Sequence, residues 1–209
     1  MLAFSLTDRV LPRKATLADA VTLLWQHPQI RAELLDLLPV LADRIDHLHH
    51  PLDDRPDVPL QVHARYSRIE ILAAFGLADA ARGKAWQTGV YYARAARADL
   101  LAFTLDKTSG AFSPTTRYRD HAISRTLFHL ESQSVTRASS STGLRYQQHQ
   151  SLGSSIMLFA RLRTSDRAFH FLGPATYVSH VGETPMAITF RLTHALPGDL
   201  FATFAAALA

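Results

Sequence analysis

The second half of the chain is divided into short apolar segments that are rich in aromatic and β-branched residues and are separated by turn residues. Short segments at this modest spacing are typical of sheets that close on themselves. The pattern therefore predicts a closed or nearly closed, mostly antiparallel β-barrel. The predicted strands cover residues 89–92, 100–105, 127–131, 156–162, 168–172, 176–180 and 186–192.

Helices are expected ahead of these strands, which makes the predicted fold class α+β. Thr16 and Asp19 form a capping box before apolar residues at helical spacing, and this helix breaks at Pro28. A second helix comes next, is kinked or restarted at Pro39, and continues toward residue 48. The acidic residues of this segment fall mostly on the opposite face, which predicts a small helical unit packed against something else.

Two domains are predicted, with a linker between them. Residues 51–60 contain three prolines and three acidic residues, which is typical of a linker. Residues 1–59 are therefore expected to form a helical connector unit, and residues 60–209 the β-barrel domain.

Flanking helices and one loop are predicted inside the barrel domain. Ser67 is expected to cap a helix that ends at Gly76, and a final helix is expected after Asp199. The serines at residues 139–141, together with Gly143, predict a flexible loop tip.

Positive charge is concentrated in the middle of the chain. Residues 61–150 hold twelve Lys and Arg against six Asp and Glu, and ten of the twelve are arginine. Arginine is favoured where phosphates are held bidentately or where rings are stacked. The charge asymmetry indicates a polyanionic partner, with nucleic acid first. An arginine-rich composition bias is the alternative explanation.

The sequence predicts no catalytic, metal-binding or cofactor-binding site. The absence of cysteine excludes disulfides, thiolate zinc sites and cysteine nucleophiles. The chain contains no HExxH, GxSxG or GxxxxGK[ST] pattern. His47 and His50 are one helical turn apart, but no carboxylate is obviously positioned beside them, so a solvated helix end is the better interpretation.

Nothing in the sequence predicts a membrane protein. No apolar run approaches the roughly 18 residues that a membrane span needs. The N-terminus lacks the charged and apolar regions of a signal peptide. We therefore expect a cytoplasmic protein without membrane contact.

The polar loop within residues 101–133 is the first candidate for a binding surface. It comes after an apolar strand pattern and carries Lys107, Arg117 and Arg119, with Tyr118 between the two arginines. A loop with cations, hydroxyls and rings on an apolar scaffold is a usual place for ligand contacts. A solvated loop with ordinary turn chemistry is the alternative.

Five segments of the chain are long and specific motifs. They are HARYSRIEILAAFG (63–76), TGVYY (88–92), DLLAFTLDKTSGAFSPTTRYRDHAIS (99–124), LFHLESQS (127–134) and FLGPATYVSHVGETPMAITFRL (171–192). Together they resemble an uncharacterised bacterial C-terminal domain that lies after a superfamily II helicase, often with a phospholipase-D-type nuclease in front. The resemblance covers roughly residues 60–209, and the helical segment before it is similar to the connector after the helicase.

The resemblance implies a reader of modified DNA. Such helicase–nuclease proteins include modification-dependent (type IV) restriction enzymes, whose C-terminal domain is thought to read modified cytosine with a fold similar to the SRA and PUA-like base-flipping barrels. The resemblance thus implies a non-catalytic module that recognises modified cytosine, such as 5-methylcytosine, in double-stranded DNA beside helicase and nuclease domains. Leu130 departs from the pattern, because relatives often carry Trp at this position.

Rings that stack a base, and cations that hold phosphates, are what a flipped nucleotide requires. A carboxylate can also accept from the amino group of cytosine. Core packing is the alternative role for the rings. The candidates for the base pocket are Trp86, Tyr91, Tyr92, Asp106, Tyr118, Asp120 and Gln133. The candidates for contact with the DNA backbone are Arg65, Arg68, Lys107, Arg117, Arg119, Arg137 and Arg145.

Two other functions are compatible with the same residues. The chain could be an interaction or regulatory domain of the helicase that binds DNA without reading bases. A nuclease that uses histidine and aspartate is the third hypothesis, and it predicts metal-dependent cleavage by the isolated chain.

Overall fold

The computed structural model describes residues 16–43, 47–79, 86–105 and 120–205. Its helices are α1 (Leu17–Trp25), α2 (Pro28–Ala42), α3 (Arg68–Ala74), α4 (Ser141–Gln148) and α5 (Gly198–Ala205). Its strands are β1 (His50–Pro51), β2 (Gln61–Val62), β3 (Arg65–Ser67), β4 (Val90–Ala93), β5 (Ala98–Thr104), β6 (His121–Ala122), β7 (Leu127–Glu131), β8 (Ser155–Arg161), β9 (Ala168–Val181) and β10 (Ala187–Leu192).

The N-terminal helices begin where the sequence predicts. The Asp19 carboxylate accepts hydrogen bonds from the backbone N–H of Thr16 at 2.6 Å and from its hydroxyl at 2.9 Å, so the capping box is confirmed. Helix α2 continues through Pro39 and ends at Ala42, short of the predicted end near residue 48. The residues around 48 instead join the β-rich part of the chain, because β1 pairs with β2.

One mixed sheet of eight strands dominates the fold. Its order is β4-β5-β8-β9-β10-β7-β6, with β3 paired to the first residues of β9, 168–170. Strands β5 and β8 are parallel, and the other pairs are antiparallel. The two strands predicted at 168–172 and 176–180 are one strand, because the chain continues through Gly173 in the left-handed region, at φ +95°.

The sheet is curled but open, and no closed barrel is found in the described part of the chain. The mixture of helices with this sheet confirms the α+β class. β5 pairs in parallel with β8 rather than with β7, the next long strand along the chain, and the sheet therefore ends at β4 and β6. β5 and β7 are separated by three strands in the sheet order, yet the Phe103 and Phe128 ring centroids are 5.2 Å apart. Such an approach requires the sheet to curl back toward itself.

The strand β5 separates two hydrophobic cores. Leu101 and Phe103 pack inside the curl with residues of β7, β8, β10 and α5. Leu100 and Ala102 point to the other face, where they pack with Ile71 of α3 and with neighbouring strands. Because both faces of β5 are covered, its residues from 98 to 103 are all buried.

The segment predicted as a linker packs apolar side chains into the hydrophobic core that contains Leu100 and Ile71. Leu52, Val58 and Leu60 are buried there. The prolines and acidic residues of the segment are exposed, and they mask the three buried apolar positions in the composition. The domain boundary between residues 59 and 60 stays a prediction.

Two helix starts depend on serine side chains. The backbone N–H and the hydroxyl of Ser67 both donate to the Glu70 carboxylate at 2.8 Å, and Gly76 lies just after α3 at φ +67°, so both predicted ends of this helix are confirmed. The predicted loop tip at 139–143 is wrong. Ser140 caps α4 by accepting from the Gly143 N–H at 3.1 Å, because serine at a helix start replaces a missing backbone partner.

Five histidines lie ring to ring where residues 47–50 meet the sheet. The ring centroids of His47 and His63 are 5.8 Å apart, those of His50 and His63 5.6 Å, and those of His50 and His194 5.2 Å. His49 lies 5.5 Å from His47. The predicted helix end is therefore wrong, because these histidines form a ring-to-ring cluster, although His49 and His50 are exposed as expected. Within the described ranges, no group of His, Asp or Glu is arranged to hold a metal ion.

Acidification is expected to destabilise the protein through this histidine cluster. Burial, followed by the charges of His47 and His50, lowers the pKa of His63 from 6.5 to about 4. Between these pH values His63 is protonated in the unfolded chain and neutral in the folded chain. The free energy of unfolding therefore falls as pH drops from about 6.5 toward 4. For one such histidine, linkage predicts a loss on the order of 3 kcal/mol in the free energy of unfolding between pH 7 and pH 4.

Urea unfolding across that pH range checks this expectation. His63→Asn should flatten the dependence, because asparagine does not titrate and tolerates the φ of +73° at this position. The exposed His27 provides the control, since His27→Asn should leave the slope unchanged. Equal slopes for wild type and His63→Asn would contradict the assignment.

Candidate functional site

A cavity of about 610 Å³ lies between the two ends of the curled sheet. Strand β5 and the residues before β4 form one side, and the end of β7 with the segment after it forms the other. The buried members of the lining are mainly apolar, whereas several half-buried or exposed members are polar and mark the opening. The lining includes Arg68, Leu101, Phe103, Asp120, Leu130, Glu131, Gln133, Tyr146, Arg161 and Ile188.

Carboxylate and amide groups lie on the β7 side of the cavity. Asp120 is buried, and its Oδ1 accepts a hydrogen bond from the backbone N–H of Glu131 at 2.9 Å. This bond joins the residue before β6 to the last residue of β7. The side-chain amide of Gln133 makes no hydrogen bond within the described part of the chain, so it is available to a ligand. Gln133 is positioned through its backbone carbonyl, which accepts from the N–H of Thr136 at 2.8 Å.

Guanidinium groups lie on the opposite, β5–β8 side. Arg68 is the first residue of α3, and Arg161 is the last residue of β8. Arg161 donates through Nε to the Thr104 hydroxyl at 2.9 Å, across the parallel pair of strands. The cavity therefore carries acceptors on one side and cations on the other.

The three described rings of the predicted aromatic wall do not line this cavity. Trp86 is buried with its ring 6.0 Å from that of Tyr91, and Tyr92 lies under the Arg145 guanidinium at 4.0 Å. Trp86 and Tyr91 pack in the core on the outer face of the sheet, whereas Tyr92 packs against Arg145 of α4. Among the described residues, the rings that do line the cavity are Phe103 and Tyr146, both of them core residues.

The predicted backbone-binding arginines fall into separate environments. Arg145 donates to both carboxylate oxygens of Asp99, from Nε at 2.6 Å and from Nη2 at 2.8 Å, so its charge is used inside the fold. This carboxylate raises the pKa of Arg145, first through the hydrogen bond. Arg65 and Arg137 are exposed and away from the cavity lining.

Of the sequence-based candidates, Arg68, Asp120 and Gln133 meet in the cavity. Sequence reasoning missed Arg161, because it lies outside the basic middle third of the chain; a charged residue that ends a fully apolar strand is the only signal for it. The candidates that lie outside the described residues are Asp106, Lys107, Arg117, Tyr118 and Arg119.

The fold and the cavity define an α+β domain built on one curled mixed sheet. Residues 60–204 match the family model described as Domain of unknown function (DUF3427), and the chain belongs to this family. Domains of this family are commonly found in helicase-associated proteins. The match begins at the first residue of the predicted β-rich domain.

No curated protein matches the chain. Among the described residues, no helix has both the length and the apolar character needed to cross a membrane.

Proposed function

We propose that this chain is a non-catalytic DNA-reading module that takes an extruded, modified cytosine into the cavity and so targets a helicase–nuclease restriction system. One observation carries the proposal. Asp120 and Gln133 lie beside an apolar wall in a single cavity whose lining also includes Arg68 and Arg161.

The size of the cavity suits a nucleotide. Small-molecule sites are usually concave, largely apolar, and about 300–1,000 Å³ in volume. The cavity here is about 610 Å³ and has Leu101, Leu130 and Ile188 in its lining. Extrusion of a base from the duplex costs a few kcal/mol, which the contacts in such a cavity must offset.

The polar groups suit the hydrogen-bonding edge of cytosine. A carboxylate accepts from the exocyclic amino group of cytosine. One oxygen of Asp120 already accepts from Glu131, but an ionised carboxylate has about four acceptor positions. The Gln133 amide can donate to the ring nitrogen or carbonyl oxygen of the same base. Recognition would therefore use the amide and the carboxylate together.

The methyl group of 5-methylcytosine adds little by itself. A buried methyl contributes about 0.8 kcal/mol, or about fourfold in affinity. Leu130 is buried in the lining, at the position where the resemblance leads one to expect Trp, so base stacking on this residue is replaced by an aliphatic contact. Shape exclusion or a polar modification must supply any stronger discrimination.

The curl of the sheet also supports the proposed likeness to the SRA and PUA-like base-flipping barrels, because it encloses a cavity of nucleotide size. The exposed Arg65 and Arg137 remain candidates for the duplex backbone, together with Lys107, Arg117 and Arg119.

Removal of the Gln133 amide is expected to weaken binding of modified DNA about fivefold, because one hydrogen bond to the base contributes roughly 1 kcal/mol. Fluorescence anisotropy with matched duplexes, carrying cytosine or 5-methylcytosine at one position, measures this for Gln133→Ala. The exposed Gln150 supplies the control, and Gln150→Ala should bind like wild type. Equal affinity of the wild-type chain for both duplexes at all salt concentrations would refute the reader function.

The second candidate function is an interaction or regulatory domain that docks on a helicase and binds DNA non-specifically. It is favoured by the large exposed apolar side chains of α1 and α2, among them Trp25, Leu35 and Leu38. The same titration separates the two functions, because this alternative predicts no preference for the modified duplex.

A further inference from the structure

Two arginines of the cavity are held against one aromatic ring. The Arg68 guanidinium lies 5.4 Å from the centroid of the Phe169 ring, and the Arg161 guanidinium lies 4.6 Å from it. Both side chains are half-buried and line the cavity. Cation–π contact and burial of the side-chain stems fix their positions before any ligand arrives.

The hydrogen bonds of these arginines go to neutral acceptors. Arg68 donates through Nη1 to the Trp86 carbonyl at 3.1 Å, and its Nε is buried without a partner. Arg161 donates to the Thr104 hydroxyl and, at 2.6 Å, to the carbonyl of Asp166. In the described ranges, no carboxylate accepts a hydrogen bond from either guanidinium.

This arrangement differs from that of Arg145 and Arg55, which are paired with carboxylates. Arg145 is paired with Asp99, and Arg55 with Asp57 at 3.0 Å. Burial lowers the pKa of Arg161, and the charge of Asp166 raises it only as a secondary influence. The Asp166 carboxylate itself accepts from the backbone N–H of Arg163 at 2.9 Å.

The two positive charges also act on each other. Burial, followed by the charge of Arg161, lowers the pKa of Arg68. Arginine nevertheless stays charged at neutral pH, so the cavity wall holds two cations that repel each other. An anion placed between them would remove the repulsion and fill the unused donor positions.

We infer that Arg68 and Arg161 form an oxyanion subsite that takes a phosphate group at the cavity wall. The planar guanidinium matches phosphate oxygens bidentately, and the neutral partners leave donors free for it. The assignment to a DNA phosphate rests on the proposed function, with the base beside Asp120 and Gln133 and its phosphate against the arginines. A free nucleotide or inorganic phosphate presents the same chemistry.

Thermal unfolding in millimolar sodium phosphate, compared with sodium chloride at equal ionic strength, tests the subsite without DNA. Phosphate should raise the melting temperature of wild type and of Arg191→Gln, which removes an exposed arginine of β10, but not that of Arg161→Gln. Arg161→Lys keeps the charge and loses the planar guanidinium, so it should retain part of the effect. This variant replaces Arg161→Gln in the test if Arg161→Gln does not fold.

A second experiment, with DNA, identifies the source of the phosphate. A neutral methylphosphonate linkage beside the modified cytosine should weaken wild-type binding about tenfold and leave Arg161→Gln unaffected. If only inorganic phosphate and deoxycytidine monophosphate depend on Arg161, the subsite serves a free oxyanion. No stabilisation of wild type by phosphate, together with no effect of the methylphosphonate, would overturn the inference. Failure of the reader function would instead appear as equal binding of modified and unmodified duplexes, with the phosphate effect intact.

Discussion

Replacing Arg145 with alanine is expected to lower the free energy of unfolding by about 3–5 kcal/mol, because the substitution leaves a charged carboxylate buried without its partner. The Asp99 side chain is 0% exposed and accepts two hydrogen bonds from Arg145. The guanidinium also lies over the Tyr92 ring, so the substitution removes packing as well as charge. Urea unfolding at neutral pH measures the loss.

The exposed Arg137 is the matched control, since it is an arginine ahead of the same helix. Arg137→Ala should change stability by no more than about 0.5 kcal/mol. The double substitution Asp99→Leu with Arg145→Met should recover much of the loss, because a buried ion pair can be replaced by apolar side chains at little cost. A loss below about 1 kcal/mol for Arg145→Ala would show that Asp99 finds other compensation.

This result would also separate two roles for Arg145. The sequence placed it among the DNA-backbone contacts, whereas in the fold it bridges α4 and β5. We expect any loss of DNA affinity in Arg145→Ala to parallel the loss of folded protein.

Replacing Gly143 with alanine is expected to cost about 3 kcal/mol or more, because the new methyl group would collide with backbone atoms. A Cβ at this position would lie 2.2 Å from the carbonyl oxygen of Arg137 and 2.7 Å from that of Ala138. Backbone oxygens cannot rotate away as a flexible side chain can. The substitution should therefore displace the first turn of α4, which the Gly143 N–H joins to Ser140.

Thermal and urea unfolding of Gly143→Ala measure this cost, with Gly198→Ala as the control. Gly198 begins α5 and has no heavy atom within 4 Å of an added Cβ, so alanine there should be neutral or stabilise by up to about 1 kcal/mol. Similar effects of the two substitutions would contradict the steric argument. Because α4 carries Tyr146 into the cavity lining, Gly143→Ala should also perturb ligand binding at the site.

Local sequence signals predicted most helices and strands, but not which strands pair with each other. The strand at 127–131 has the predicted bounds, and Ser67 and Gly76 end α3 as expected. Helix α4 was missed because its Ser-Ser-Ser-Thr-Gly start has the composition of a loop, although the same serines act as a cap. The single strand β9 was divided in two, since Gly173 and Pro174 are turn residues in most contexts.

The candidate site was predicted in part for a related reason. Charge and hydrogen-bonding capacity selected Arg68, Asp120 and Gln133, which lie together in the cavity. Composition could not distinguish rings that line a cavity from rings that pack, and Trp86 and Tyr92 pack. Arg161 carried no local signal beyond its place at the end of an apolar strand, because its importance comes from Phe169 and Arg68, which are not its neighbours along the chain.

The α+β class, the helix caps, most strand positions and the concentration of arginine could be read from the amino-acid sequence, because each depends on residues within a few positions of one another. The parallel pairing of β5 with β8, the curl that brings β5 to β7, and the cavity between them emerged only in the folded chain. Those features depend on contacts between distant segments, for which the chain has no local periodicity. The residues of the site can act on one ligand only when these contacts bring them into one cavity; they are Arg68, Asp120, Gln133 and Arg161.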